Sequence, residues 1–189
     1  MAKGKHRIRV ISGELKGRLL EYPDSRVFRP TMQRTRSSLF ESLGAALVDA
    51  TVIDLFAAAG GLGIEALSRG ARHVVFVEQH RDALSCLGSN LTQCNLSKDR
   101  YSVYGGDVFD FLERGVPSGV TPDIVLADPP YDNTDLRLLL ELIGGIVYPA
   151  SAVVVIEHRV DTELEPPAGF SLSRRRLFGQ TVLSTFEKG

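Results

Sequence analysis

The sequence contains no run of about 18 consecutive apolar residues, so no segment is expected to cross a bilayer as a helix. Its N-terminus has no apolar stretch of the signal-peptide kind, which argues against export and against a membrane partner. Cysteine is scarce. The two present, Cys86 and Cys94, lie eight residues apart on one predicted helix. That spacing is neither a metal pair nor a disulfide framework, and it places the chain in a reducing compartment, the cytoplasm. No cluster of ligating side chains has metal-site spacing, so no metal is expected. Internal repeats and low-complexity segments are also absent. What remains is 189 residues, 43% apolar and 24% charged, which suits one globular domain with a small appendage.

The formal net charge of -1 conceals an uneven distribution. Residues 1–36 hold ten Lys/Arg against three acids, or +7, while the remainder holds 12 bases and 20 acids, or −8. A basic N-terminal arm on an acidic body fits contact with a polyanion such as nucleic acid. The plainer reading is a solvated tail.

Residues 7–22 read as a hairpin. Arg7-Ile8-Arg9-Val10-Ile11 alternates basic and apolar side chains, Ser12-Gly13-Glu14 turns, and Leu15 to Tyr22 returns. Arg26 to Pro30 is a linker. Thr31 is the expected cap of a helix to about Leu47, with Leu39, Phe40 and Leu43 on one face.

From Thr51 the pattern changes to short apolar strands alternating with helices. The strands are Val52–Phe56, Val74–Val77, Tyr101–Tyr104, Ile124–Ala127 and Val153–Ile156. The helices are Leu62–Ser68, Arg81–Cys94, Val108–Arg114 and Leu136–Ile143. This is the signature of an α/β fold with a mostly parallel sheet covered on both faces. Leu172–Phe178 and Thr181–Phe186 flank Gly179-Gln180 and predict an antiparallel hairpin at one edge. The organisation expected is a basic arm over 1–30 and an α/β domain over 31–189.

In such sheets ligands bind beyond the carboxyl ends of the strands. The first strand is followed by Asp54-Leu55-Phe56-Ala57-Ala58-Ala59-Gly60-Gly61, whose small residues let backbone approach a ligand ahead of a helix. Tight packing of a strand-to-helix turn also calls for small residues. The second strand ends in Glu78, a carboxylate able to accept from both hydroxyls of a ribose. The third leads to Gly105-Gly106-Asp107, and Asp107 can accept from an adenine amino group. Each acid alone is equally a helix cap or a solvated loop residue. Three at the ends of three successive strands point to a nucleoside ligand.

The fourth strand ends in Asp128-Pro129-Pro130-Tyr131. The prolines fix the backbone and rule out a helix interior. The loop therefore presents a carboxylate, a carbonyl and an aromatic face in fixed relation. An exocyclic amino nitrogen of a base is a poor nucleophile because its lone pair is delocalised into the ring. The Asp128 carboxylate and the Pro129 carbonyl can each accept one N–H, turning the lone pair toward an incoming methyl group and stabilising the charge that develops. Tyr131 can stack on the base, worth roughly 1–3 kcal/mol, once the base is flipped out or already unpaired. The competing reading is a simple strand-terminating turn.

Together these residues resemble the bacterial 16S ribosomal RNA guanine-N2 methyltransferases, which have a class I, Rossmann-like fold. The resemblance covers most of the chain. It runs through Arg9-Val10-Ile11-Ser12-Gly13 with Lys16-Gly17-Arg18, and Arg29-Pro30-Thr31 with Arg34, Arg36, Leu39 and Phe40. It continues through Asp54-Leu55-Phe56-Ala57, Leu62 to Ala71, Val77-Glu78 and Asp128-Pro129-Pro130-Tyr131, and ends at Glu157-His158. It implies S-adenosylmethionine as cofactor, held by Asp54, Phe56, Ala58, Gly60, Glu78, Gln79, Asp107 and Val108. It implies catalysis by Asp128, Pro129, Pro130 and Tyr131 on a guanine of 16S rRNA, within an assembling small subunit, by a monomer. Arg7, Arg9, Lys16, Arg18, Arg29, Arg34 and Arg36 would contact the RNA.

Two departures stand out. Ala58-Ala59-Gly60 replaces a usual Gly-Ser-Gly, and a methyl group at position 58 either crowds the donor's methionine end or is tolerated. Gln33 and Ser37 replace acids, making the helix start more basic. Two other functions fit parts of the sequence. The Asp-Pro-Pro-Tyr string also occurs in adenine-N6 DNA methyltransferases, although so short a chain leaves no room for a target-recognition domain. The alanine-rich loop fits a non-catalytic RNA-binding or assembly factor that keeps the fold.

Overall fold

The computed structural model describes residues 6–23, 33–131 and 134–189. Strands β1 (His6–Arg9) and β2 (Leu19–Tyr22) pair antiparallel, with Arg7 opposite Glu21 and Ile8 opposite Leu20. Helix α1 (Gln33–Leu43) gives way to a 3-10 turn at Gly44–Leu47. Gly44 has φ +47°, which ends the α-helical hydrogen bonding before the expected Leu47. The expected cap Thr31 and the linker Arg26 to Pro30 lie outside the described residues.

Strands and helices then alternate: β3 (Thr51–Leu55), α2 (Gly61–Ser68), β4 (His73–Glu78), α3 (Arg81–Gln93), β5 (Tyr101–Gly105), α4 (Val108–Glu113), β6 (Ile124–Ala127), α5 (Leu136–Gly144) and β7 (Val153–Arg159). The chain continues into β8 (Phe170–Phe178) and β9 (Thr181–Lys188). Seven of the strands form one sheet in the order β5-β4-β3-β6-β7-β9-β8. Strands β3 to β7 are parallel, and β9 runs antiparallel to both β7 and β8. This is the mostly parallel seven-stranded sheet with a C-terminal hairpin that the sequence predicts. Because β9 inserts between β7 and β8, β8 forms the edge. Its exposed Arg174 and Arg175 discourage pairing with another chain.

Alternation along the buried strands builds two core layers. Val52, Val74, Phe76, Ile124 and Leu126 face the layer that contains α1, α2 and α3. Ile53, Leu55, Val75, Val77, Val125 and Ile156 face the layer of α4 and α5. From β3 the chain steps outward to β4 and β5, then returns to β6 on the other side of β3. The reversal leaves a crevice beyond the carboxyl ends of β3 and β6.

The N-terminal hairpin is docked on the body. Val10, Leu15, Leu20 and Tyr22 are buried with the first core layer or at its margin. Buried Glu65 of α2 accepts the backbone N–H of Ile11 (2.7 Å) and of Ser12 (3.0 Å). Ser68 accepts from the Leu15 amide at 2.9 Å. Asn90 of α3 accepts from the Glu21 amide and donates to the Glu21 carbonyl, each at 2.9 Å. Gly13 has φ +83°, and a Cβ there would overlap the Ser68 carbonyl, so both conformation and space require glycine. Among the described residues no helix is long and apolar enough to cross a membrane.

Candidate active site

Strand β3 ends in Asp54-Leu55, and the chain then leaves the sheet abruptly. Phe56 (φ +58°), Ala58 (φ +47°) and Gly60 (φ +86°) all take left-handed conformations. For a non-glycine residue this costs roughly 1–2 kcal/mol, so the loop survives because its neighbours hold it. The Ala58 amide donates to the Glu78 carboxylate at 2.8 Å, and the Ala57 amide donates to the Val77 carbonyl at 3.0 Å. The Asn90 amide group donates to the Ala59 carbonyl at 2.9 Å. The left-handed turn at position 58 explains why a glycine is usual there, and shows that alanine is accommodated at a strain cost.

Two buried carboxylates flank this loop. Asp54 accepts from the Gly63 amide at 2.8 Å. Burial raises its pKa to about 7, with Asp128 and Glu78 adding to the effect. Glu78 takes the Ala58 amide on one oxygen and the His80 amide (2.7 Å) on the other. Both bonds fix the carboxylate at the strand end and leave acceptor capacity for ribose hydroxyls. Gln79 is exposed immediately after it. Just after β5, Asp107 caps α4 by accepting from the Phe109 amide (2.8 Å) and the Asp110 amide (3.2 Å). Its capping role is therefore established alongside its position at the end of β5, and Val108 behind it is buried.

The Asp128-Pro129-Pro130-Tyr131 loop closes the other side. Pro129 is buried, Pro130 is exposed, and Tyr131 is 42% exposed. The Tyr131 hydroxyl donates to Glu157 at 3.0 Å and bonds Thr181 at 2.8 Å, which anchors the aromatic ring to β7 and β9. The charge of Asp128 is near enough to push up the pKa of Tyr22, Asp54, Tyr131 and Glu157. Asp128 therefore lies where the crevice meets the proline loop. Burial first, then the Asp128 charge, pushes Glu157 up to about 8. Adjacent His158 is buried, with its ring bonded to Ser184 (2.8 Å) and its pKa lowered by burial.

The structure thus brings Asp54, the Phe56–Gly60 loop, Glu78 and Asp128 together at the carboxyl ends of β3, β4 and β6. Three participants had no role assigned by sequence reasoning. Glu157 stood only as a motif residue, although a carboxylate inside an apolar strand is itself a signal. Thr181 and Tyr22 carried none, because the importance of Thr181 depends on a partner 50 residues away along the chain, and that of Tyr22 on hairpin docking.

One expected assignment is corrected. Arg36 is 2% exposed and cannot reach RNA. It shares a helical face with Leu39, Phe40 and Leu43, so the same periodicity that buries them buries it. Arg7, Arg9, Lys16, Arg18 and Arg34 are exposed. Arg7 pairs with Glu21 (3.0 Å), and Arg9 donates to the Gly17 carbonyl (2.9 Å). Arg29 lies outside the described residues.

The family described as conserved hypothetical protein 95 matches residues 8–187. The chain belongs to this family. It is 34% identical over 188 residues to a ribosomal RNA small subunit methyltransferase D of Escherichia coli, spanning 98% of this chain and 92% of that one. A protein of the same name from Haemophilus influenzae is 31% identical over 180 residues, spanning 94% and 91%. The solved structure of E. coli yhhF matches with a TM-score of 0.85 at 31% identity, covering 97% of this chain and 98% of that one.

Proposed function

We propose that this protein transfers a methyl group from S-adenosylmethionine to the exocyclic N2 amino group of a guanine in 16S rRNA, within an assembling small ribosomal subunit in the cytoplasm. The observation that supports the proposal is the Asp128 carboxylate at the end of β6, on a proline-flanked loop and close enough to buried Asp54 and Glu157 for its charge to raise both of their pKa values. The small-residue loop and the carboxylates fit a nucleoside donor. Glu78 would hold the ribose, the Phe56–Gly60 loop the chain beyond it, and Asp107 with Val108 the adenine. When bound, S-adenosylmethionine supplies an electrophilic methyl group on a sulfonium sulfur.

The chain's own residues do the rest. Asp128 and the Pro129 carbonyl accept the two N–H groups of the target amine, which directs its lone pair into the crevice and meets the positive charge as it forms. Pro129 and Pro130 keep that acceptor pair from relaxing. Tyr131, tethered by Glu157 and Thr181, offers a ring face to the flipped base. Burial and the neighbouring Asp128 charge favour the protonated form of Glu157. The exposed Arg7, Arg9, Lys16, Arg18 and Arg34 provide a basic surface for phosphates.

Small subunits from a strain lacking the protein should accept methyl label from the donor, and mass spectrometry should find it as N2-methylguanine in 16S rRNA. Methylation at any other atom, or none with purified active donor, overturns the reading. Asp128→Ala should lower the transfer rate by about 100- to 1000-fold, while calorimetry finds donor affinity within a few-fold of wild type. Near-normal turnover in that variant removes Asp128 from the mechanism.

A further inference from the structure

Edge strand β8 carries Arg174, Arg175 and Arg176 in succession, three of the 12 basic residues that lie beyond position 36. Among the described residues none of the three forms an ion pair. Charge of either sign would guard an edge strand. Three successive cations on a body that is otherwise acidic call for a further reason.

The ladder register sorts them by face. Arg174 pairs with Thr185, Arg175 with Ser184, Arg176 with Leu183 and Phe178 with Thr181. Leu183 belongs to the core layer of α1, and Phe178 packs against that layer. Cross-strand partners share a face, so Arg174 and Arg176 lie on the α1 side of the sheet. Arg175 lies on the other side, beside Ser184, whose hydroxyl bonds His158. The register shift between Leu172 and Arg174 aims the strand. It sends Leu172, which pairs with Phe186 of the other core layer, and Arg174 to opposite faces although they are two residues apart.

The α1 face is also the face of the catalytic loop. The Tyr131 hydroxyl bonds Glu157 and Thr181, and Glu157 pairs with Leu183 across the ladder. Arg176 and Arg174 lie about 7 and 13 Å along the strand from Phe178, the partner of Thr181. Arg176 is half-buried, and its Nη1 donates to the Ser38 carbonyl (3.3 Å) and to the Ser38 hydroxyl of α1. Exposed Arg34 lies one turn before Ser38 on the same side of that helix. Guanidinium groups from two elements thus line one seam, and like charges this close repel unless an anion lies among them. The seam is separate from the hairpin. The hairpin docks on α2, which packs on β3 and β4, whereas β8 is the sheet edge on the far side of β6.

We propose that Arg34, Arg174 and Arg176 form a second phosphate-binding surface at the α1–β8 seam, which holds RNA on the side of Tyr131 away from the N-terminal hairpin. The assignment rests on the substrate being RNA. A strand that presents a base to Tyr131 is then gripped on both flanks.

Binding of the full chain to small subunits from a strain lacking the protein, measured over a range of salt concentrations, tests it. Arg174→Gln should weaken binding and lower the magnitude of the log–log salt slope by about 0.7–0.9, the loss of one neutralised phosphate. Arg175→Gln, one position along but on the opposite face, should keep the wild-type affinity and slope. The proposal fails if the two variants behave alike. It fails equally if Arg174→Gln weakens binding with no change in slope, because the contact is then with protein and not with phosphate. A wild-type protein whose binding does not depend on salt overturns the RNA reading itself, a result distinct from two variants that match each other.

Discussion

At the scale of single residues, strain and charge are concentrated around the crevice. Ala58 occupies a left-handed turn that glycine would adopt without strain. Ala58→Gly should therefore stabilise the protein by about 1 kcal/mol, read as a rise in Tm of roughly 2–4 °C. A fall in Tm would show that the alanine is better accommodated than its φ of +47° implies. Glu157 makes a prediction about pH. Its folded pKa of about 8 lies above the ordinary 4.5, so the folded state binds the proton more tightly than the unfolded chain does. Its contribution is complete below about pH 4.5 and is lost as pH rises toward 8, with a slope of at most about 1.4 kcal/mol per pH unit. Glu157→Gln should flatten the decline in Tm across that window. Asp54, with its pKa raised to about 7, will leave a residual slope. An unchanged profile in the variant would mean that Glu157 is ionised in the folded protein.

At the scale of elements, Asn90 is the junction. Its fully buried amide bonds both backbone groups of Glu21 in β2 and the carbonyl of Ala59 in the strained loop. One side chain on α3 thus ties the N-terminal hairpin to the candidate cofactor loop. Asn90→Ala leaves three buried backbone groups without these partners, and chemical denaturation should show a loss of about 3 kcal/mol. A loss below about 1 kcal/mol would mean that water replaces the amide. From β3 to α5 the strands and helices were legible from periodicity to within a residue of their ends, whereas β2 starts four residues after the expected Leu15 and β7 runs three past the expected Ile156. The docking of the hairpin was not, because a free basic arm and a docked hairpin share the same alternation of Arg and apolar residues over 7–11. Buried Glu65 is what distinguishes them, and its partners Ile11 and Ser12 are more than 50 positions away in sequence.

At the scale of the whole molecule, charge is segregated: +7 over residues 1–36 and −8 over the rest. Docking the hairpin fixes part of that positive charge on the side of the molecule where Tyr22 reaches the crevice. Binding to small-subunit RNA should weaken steeply with salt. Reversing Arg7, Lys16 and Arg18 together should lower the magnitude of the log–log salt slope by about 0.7–0.9 for each phosphate that these side chains neutralise. Donor affinity, measured without RNA, should not change. An unchanged salt slope would move the RNA surface elsewhere on the protein.

The sequence by itself determined the parallel strands, the helices between them, and the position of Asp54, Glu78, Asp107 and Asp128 at strand ends, because these follow from local periodicity and from where a strand must stop. Tertiary structure alone decided that Arg36 turns inward, that Tyr131 is tethered to Glu157 and Thr181, and that Asn90 joins hairpin to loop. Those outcomes depend on which distant surfaces meet when the two core layers close. A side chain's chemical type does not say whether the packing around it will supply a partner or leave it with donors to spare.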